Sequence, residues 1–149
     1  MDVKEHYMFD TLLDDGLTPR FVFRSPVFLD ELNAGQLSTG RLAAHIETAV
    51  DTFHTRTGVD VNVVRDLKVE FLNFVTAAGE LRIDVWLDSI DSTTCTYGFT
   101  CSSADGSTAY ARGERTVTRL DPIRRRPAEW SAAFLEKQST LVKALHNFV

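Results

Sequence analysis

The run Phe28-Leu29-Asp30-Glu31-Leu32-Asn33-Ala34-Gly35-Gln36-Leu37-Ser38-Thr39-Gly40-Arg41, continued by Leu42 to Phe53, carries an extended segment into a long helix. Upstream, Phe21-Val22-Phe23-Arg24-Ser25-Pro26-Val27-Phe28 reads as a strand, and its proline points to a sheet edge or a bulge. Between strand and helix lies a short polar turn with an acid, an amide and a glycine. At 100° per residue Leu42, Ala43, Ile46, Ala49, Val50 and Phe53 fall on one wide apolar stripe. A helix is therefore expected from Ser38 to Thr57, capped by Ser38 or Thr39 and stopped by Gly58. A polar turn feeding a buried helix is where a fold can set backbone N–H donors and a carboxylate around one reacting carbonyl.

Beyond the helix the chain is mostly strand. Val61 to Phe74 is β-rich and ends in the loop Thr76-Ala77-Ala78-Gly79. Leu81, Ile83, Val85 and Leu87 alternate with Arg82, Asp84, Trp86 and Asp88, the period of a half-buried strand. Thr93 to Ser102 follows, with Tyr97 and Phe99 on one face. The turn Ala104-Asp105-Gly106-Ser107 returns the chain as a strand from Thr108 to Leu120, closed by Asp121-Pro122. Trp130, Phe134, Leu141, Leu145 and Phe148 line one side of a C-terminal helix over 128–147. Residues 1–17 are acidic, with a turn at Asp14-Asp15-Gly16. One long apolar helix followed by an antiparallel meander implies an α+β domain, a curved sheet wrapped around the helix. A single domain is expected over 1–149, its core over 18–122.

The bulk numbers exclude several classes. At 149 residues, 44% apolar and 25% charged, the chain has the balance of one ordinary globular domain. Its net charge of −5 argues against nucleic acid or an anionic membrane as the main partner. No apolar run approaches the ~20 residues of a membrane span, and the N-terminus lacks the pattern of a secretory signal. Cys95 and Cys101 share a face of one strand, yet about 20 Å of extended chain separates them. They are expected as reduced thiols, and the cytoplasm as the compartment.

The order of elements, with the wording of several segments, resembles the hotdog-fold thioesterases of the 4-hydroxybenzoyl-CoA thioesterase-like group. That group commonly reads F-x-D-x-D-x-x-G-H-V-N-N-x-x-Y-L-x-x-F-E-x-A across its first strand and helix. Phe28, Asp30, Gly35, Glu47 and Ala49 match it, with Leu37 and Ile46 as apolar equivalents. Val69-Glu70-Phe71-Leu72 with Gly79-Glu80-Leu81 looks like the group's strand, loop and G-D-E-L turn. Ala111-Arg112-Gly113-Glu114-Arg115 through Asp121-Pro122 looks like its closing strand, and Arg126-Pro127-Ala128-Glu129-Trp130 like its R-P-x-P-x tail. The likeness spans residues 20–130.

The resemblance implies hydrolysis of an acyl thioester on CoA or a carrier protein, without a cofactor or metal. It also implies a homodimer or homotetramer with acyl pockets between subunits. Leu32 stands where many of these enzymes hold the catalytic aspartate, Gln36 replaces the histidine after the glycine, and Ser38-Thr39 replaces the asparagine pair. Three groups remain as catalytic candidates: Glu47 at the border of the helix stripe, Asn33 one residue past Leu32, and Asp30 at the first acid. For Glu47 the structural alternative is a pair with an arginine or a strand backbone; Asn33 and Asp30 are equally suited to turn and cap. Gly35 and the N–H of Gln36, with Ser38 and Thr39, correspond to the backbone that holds the oxyanion and substrate. Arg124-Arg125-Arg126 is the dense basic run that can meet CoA phosphates, or else a solvated loop.

Asp51-x-x-His54 with Glu47 has the spacing of a helical metal half-site, but no matching ligands are seen elsewhere and a solvated helix face is expected. Two other readings stay open: an acyl-thioester-binding or scaffold domain without catalysis, and a dehydratase on the same fold.

Overall fold

The structure is a computed structural model and describes residues 12–13, 20–57 and 62–138. Among the described residues six strands form one antiparallel sheet: β1 (Leu12–Leu13), β2 (Arg20–Val27), β3 (Asn62–Phe71), β4 (Gly79–Ile90), β5 (Thr94–Ser103) and β6 (Ala109–Arg119). Their order across the sheet is β1-β2-β4-β5-β6-β3. A 3-10 turn (Leu29–Glu31) and the helix α1 (Thr39–Thr57) stand between β2 and β3. The short helix α2 covers 132–138. The expected curved sheet with one long helix is thus the observed architecture. No helix among the described residues is long and apolar enough to cross a membrane.

The period of two separates the faces of the sheet. Phe23 and Val27 of β2, Leu81, Ile83, Val85 and Leu87 of β4, and Cys95, Tyr97, Phe99 and Cys101 of β5 are buried on the face that receives α1. Leu42, Ile46, Ala49, Val50 and Phe53, the stripe expected from the sequence, fill that face. Arg82, Trp86, Thr100 and Arg112 point outward. There Trp86 lies against Gly98, where a Cβ would meet its indole at 2.4 Å, so only glycine admits the ring. Pro26 pairs with Glu80, while β1 reaches only Phe21 and Arg20, so among the described residues the proline lies on open edge, as expected.

Two polar groups interrupt the inner face, Ser25 on β2 and Arg115 on β6, both buried. At the far end of α1, Asn62 donates to His54 Nε2 (2.9 Å), and Nδ1–H donates to the Tyr97 hydroxyl (2.6 Å). Trp130 and Phe134 stack on each other and cover this histidine. His54 is therefore a core residue.

The hairpin at 104–107 forms as expected. Gly106 takes φ +79°, and Asp105 accepts from the Ser107 amide and hydroxyl and from Ser103, which pushes its carboxyl down to about 2. The C-terminal helix starts later than the expected 128. Ala128 and Trp130 donate their amides to Arg119 and Ser92 and stay extended, and Ser131 then caps α2 through its hydroxyl to Phe134 N–H (3.1 Å). Leu141, Leu145 and Phe148, like the turn at Asp14–Gly16, lie outside the described residues.

Cys95 and Cys101 are free and fully buried, and desolvation pushes both thiols up to about 12. Neither is a thiolate at pH 8. A disulfide-exchange reagent should therefore leave both untouched in the folded protein and titrate both in denaturant. Because each folded pKa lies above its unfolded value of 9.0, the folded state holds protons that the unfolded chain releases. Stability should accordingly fall as pH rises from about 9 toward 12.

Candidate functional site

The polar turn and the start of α1 form one compact unit. Asn33 N–H donates to Gln36 O (2.9 Å) and Gln36 N–H to Asn33 O (3.2 Å), closing a two-residue loop. Ala34 at φ +53° and Gly35 at φ +80° give that loop the type I′ sense. Glycine adopts this backbone at no cost, whereas Ala34 bears a strain of about 1 kcal/mol. Leu37 N–H then donates to Val75 O (2.8 Å), which pins the end of the loop beside the start of β4. Ser38 is the cap, its hydroxyl accepting Arg41 N–H (3.2 Å).

Asp30, Asn33, Gly35, Gln36, Ser38 and Thr39 are therefore brought together, all of them exposed. One detail differs from expectation. The Gln36 amide is not open, because it is already donated across the loop. The amides of Gly35, Thr39 and Gly40 instead donate to no group among the described residues. The first turn of α1 carries no acidic side chain of its own. Gly40 was not singled out from the sequence. A Cβ there would meet nothing within 4 Å, so packing does not demand glycine at this helical position. A helical glycine costs up to about 1 kcal/mol against alanine, and that cost was a legible signal.

Glu47 lies apart from this unit, eight residues or about 12 Å along α1. Its Oε1 is 3.0 Å from Arg115 Nε, off the N–H axis, so the contact is an ion pair rather than a hydrogen bond. Arg115 Nη1 donates to Asp51 (2.9 Å). The guanidinium is 5% exposed and Glu47 35%, so the carboxylate stands at the solvent boundary over a buried cation. The arginine alternative for Glu47 is the observed contact, and Asp51 serves the same cation.

Arg124, Arg125 and Arg126 are exposed on a loop organised by Asp121, which accepts the Ile123 and Arg124 amides; the Arg124 amide is the larger cause holding its carboxyl below the usual range. This loop follows β6 and adjoins the start of β5, whereas Gly35 adjoins the start of β4. Since β4 and β5 are antiparallel, the two sites lie at opposite ends of the sheet, roughly 35 Å apart along β4.

Apolar side chains surround the helix start. Phe28 (63% exposed), Leu29 (75%), Phe74 (64%) and Leu72 all face solvent near it. They continue along β3, the last strand of the sheet, where Val63, Val64, Leu67 and Phe71 are exposed on an edge with no described partner. A shallow groove of about 610 Å³ lies elsewhere, on the outer face between Lys68, Glu70, Trp86, Thr100, Arg112 and Glu114. Its charges are mutually paired, Arg112 with Glu70 at 3.0 Å and Lys68 with Glu114 at 3.7 Å, so it offers no open acid or base.

No family model matches the chain, and no curated protein matches its sequence. Solved structures do match. A hypothetical protein of Staphylococcus aureus in complex with CoA superposes with TM-score 0.77 at 12% identity, over 85% of this chain and 86% of its own. A 1,4-dihydroxy-2-naphthoyl-CoA thioesterase from Synechocystis gives 0.72 at 10%, over 83% and 98%. A thioesterase of Thermus thermophilus complexed with coenzyme A and Zn gives 0.70 at 20%, over 80% and 92%. The fold is the hotdog fold. In hotdog terms, α1 is the central helix, and the turn 33–36 leads into it.

Gly35 and Gly40 should separate strain from space. Gly35→Val forces a β-branched residue to positive φ and should cost about 1–2 kcal/mol in urea unfolding, although nothing crowds the site. Gly40→Ala should raise stability by a few tenths of a kcal/mol or more. An unchanged midpoint in Gly35→Val would contradict the type I′ turn.

Proposed function

We propose that this protein hydrolyses acyl thioesters of CoA or of a carrier protein, with the thioester carbonyl at the start of α1. The observation that carries the reading is the set of open amides, Gly35 in the turn and Thr39 and Gly40 at a helix start with no acid in its own first turn, framed by exposed Phe28, Leu29, Leu72 and Phe74. Backbone donors stabilise the oxyanion that forms as the carbonyl is attacked, and the apolar rim suits an acyl chain. The CoA-bound and thioesterase structures that share the fold support it. Asp30 and Asn33, exposed beside the donors, order the attacking water.

Glu47 enters through a second copy of the chain. The exposed apolar edge of β3 is the surface a soluble protein covers, so the active form is a homodimer paired across it. Leu67 of β3 registers with Arg115, and Arg115 holds Glu47, so such a dimer sets Glu47 at the subunit boundary. There it draws a proton from water at the partner's helix start. An antiparallel pair of β3 strands reverses the partner, and each Arg124–Arg126 loop is then available to the phosphates of CoA bound at the other subunit's helix start. Reduced thiols suit the cytoplasm.

Thiol release from a panel of short, long and aromatic acyl-CoAs tests the reading. Glu47→Ala should lower turnover on the order of a hundredfold. Gly40→Ala should lower turnover while raising stability, because a methyl group then stands over the open amide. Leu67→Glu should give monomers in sedimentation and lose activity with the dimer. Full turnover in Glu47→Ala would remove it from the mechanism.

One observation favours a second reading, binding without hydrolysis: Leu32 packs against the core where the resemblance places an acid. Calorimetric binding of acyl-CoA with no thiol release from any substrate would establish it.

A further inference from the structure

Three side chains outside that reading form a continuous chain of hydrogen bonds. Ser25 Oγ lies 2.6 Å from His45 Nδ1, and His45 Nε2 lies 3.0 Å from Glu31 Oε1. Glu31 Oε2 accepts Phe28 N–H at 2.8 Å. The Phe28 amide foremost, and His45 with it, hold the Glu31 carboxyl below its usual range. An ionised carboxylate only accepts, so Nε2 carries a proton, and in the neutral ring Nδ1 accepts from the Ser25 hydroxyl. Every donor in the chain then has one direction, from Ser25 to His45 to Glu31.

Serine, imidazole and carboxylate are also the components of a nucleophilic triad. Ser25, however, is 6% exposed on the inner face of β2 beneath α1, and the groove on the outer face does not reach it. What the chain does join is three elements: β2 through Ser25, α1 through His45, and the 3-10 turn through Glu31. Glu31 is two residues before Asn33, where the strained, exposed loop begins. Leu37 pins the far end of that loop to Val75, and Glu31 is its counterpart at the near end. His45 is thus the link by which α1 holds the loop next to its own first turn.

We propose that Ser25, His45 and Glu31 are positioning residues, a relay that fixes the 28–36 segment on α1 and so sets where Asn33 and the Gly35 amide stand relative to the helix start. This rests on the reading that the thioester carbonyl is held there. A displacement of about 1 Å at such a site is worth on the order of a hundredfold in rate, so the relay acts on turnover without touching substrate.

The test uses the full chain with His45→Leu and Glu31→Ala, which each break two links, and Glu31→Gln, which keeps both of its own. In Glu31→Gln the amide oxygen still accepts Phe28 N–H. Its NH2 donates to Nε2, and the imidazole reverses so that Nδ1–H donates to Ser25 Oγ. Nitrogen-15 NMR reads the imidazole tautomer and the amides of Asn33, Gly35 and Gln36, alongside kcat and KM on the best acyl-CoA. The native imidazole should be the Nε2–H tautomer. His45→Leu and Glu31→Ala should displace the loop amides and lower kcat about a hundredfold, with KM within about threefold. Glu31→Gln should reverse the tautomer and keep both the resonances and kcat within about threefold. Loop resonances that stay in place in both disrupting variants would overturn the proposal, as would a native Nδ1–H tautomer or covalent capture of Ser25 by a fluorophosphonate. Resonances that move while turnover holds would leave the relay standing and remove the thioester from this loop, and resonances that move in a protein without turnover would leave the relay standing and remove hydrolysis.

Discussion

Burial of one helical stripe in the hollow of the sheet is the constraint on which the other features depend. Ile46, Ala49, Val50 and Phe53 are at most 1% exposed, and Ile83, Val85, Tyr97 and Phe99 opposite them are equally closed. Each large side chain of that kind contributes about 1.5–3 kcal/mol when removed from water. No other described contact engages as many elements at once. With the helix axis so fixed, its N-terminus must emerge beside the start of β4, where the loop 33–36 and the open amides stand. Its C-terminus must end against Tyr97 and Trp130, which is why His54 is drawn into the core. The place of the candidate site therefore follows from apolar packing that contains none of its residues.

The same packing leaves the molecule asymmetric. At the β2 side the sheet is bordered by β1, whereas at the β3 side, among the described residues, it stops at an edge with Val63, Val64 and Leu67 in solvent. A strand exposed on both faces cannot account for its own apolar side chains. The helix flank nearest it carries Glu47 and Asp51 around Arg115, a cation too buried to be solvated and too charged to be unpaired. Edge and ion cluster thus adjoin one another, and a surface that covers the first also borders the second.

Much of this was legible in the sequence because it is periodic. Leu81, Ile83, Val85 and Leu87 alternate strictly, the stripe from Leu42 to Phe53 repeats at helical spacing, and the hairpin at Asp105-Gly106 has the residues its turn requires. Those signals are local, and the structure follows them to within a residue or two. Partners across the fold are not local. Glu47 and Arg115 are joined only because β6 passes under α1, and nothing in the spacing of Ser25, Glu31 and His45 indicates that a strand, a turn and a helix bring them together. The Gln36 amide differs from expectation for a related reason. An N–H before a helix is open only if the preceding turn leaves it so, and here Ala34 adopts positive φ against its preference and closes the loop on Asn33. Gly40 is the converse case, a residue whose cost to the helix is visible in the sequence while its open amide is not.

The two polar interruptions of the inner face have a common consequence for how the helix is held. Apolar side chains give α1 its affinity for the sheet and the line of its axis, but their contacts are non-directional and discriminate small slides and rotations less sharply than polar pairs do. Ser25 is matched by His45, and Arg115 by Glu47 and Asp51, and at 100° per residue His45 and Glu47 point to opposite flanks of the helix. A rotation that kept either pair would break the other. An unsatisfied buried polar group costs about 1–3 kcal/mol, and a charged one more. The pairs therefore select one rotation and one axial position from those the apolar stripe allows. A site whose donors are backbone amides requires such a device, because an amide cannot adjust a rotamer to reach its substrate. Its position is only as exact as that of the helix that carries it.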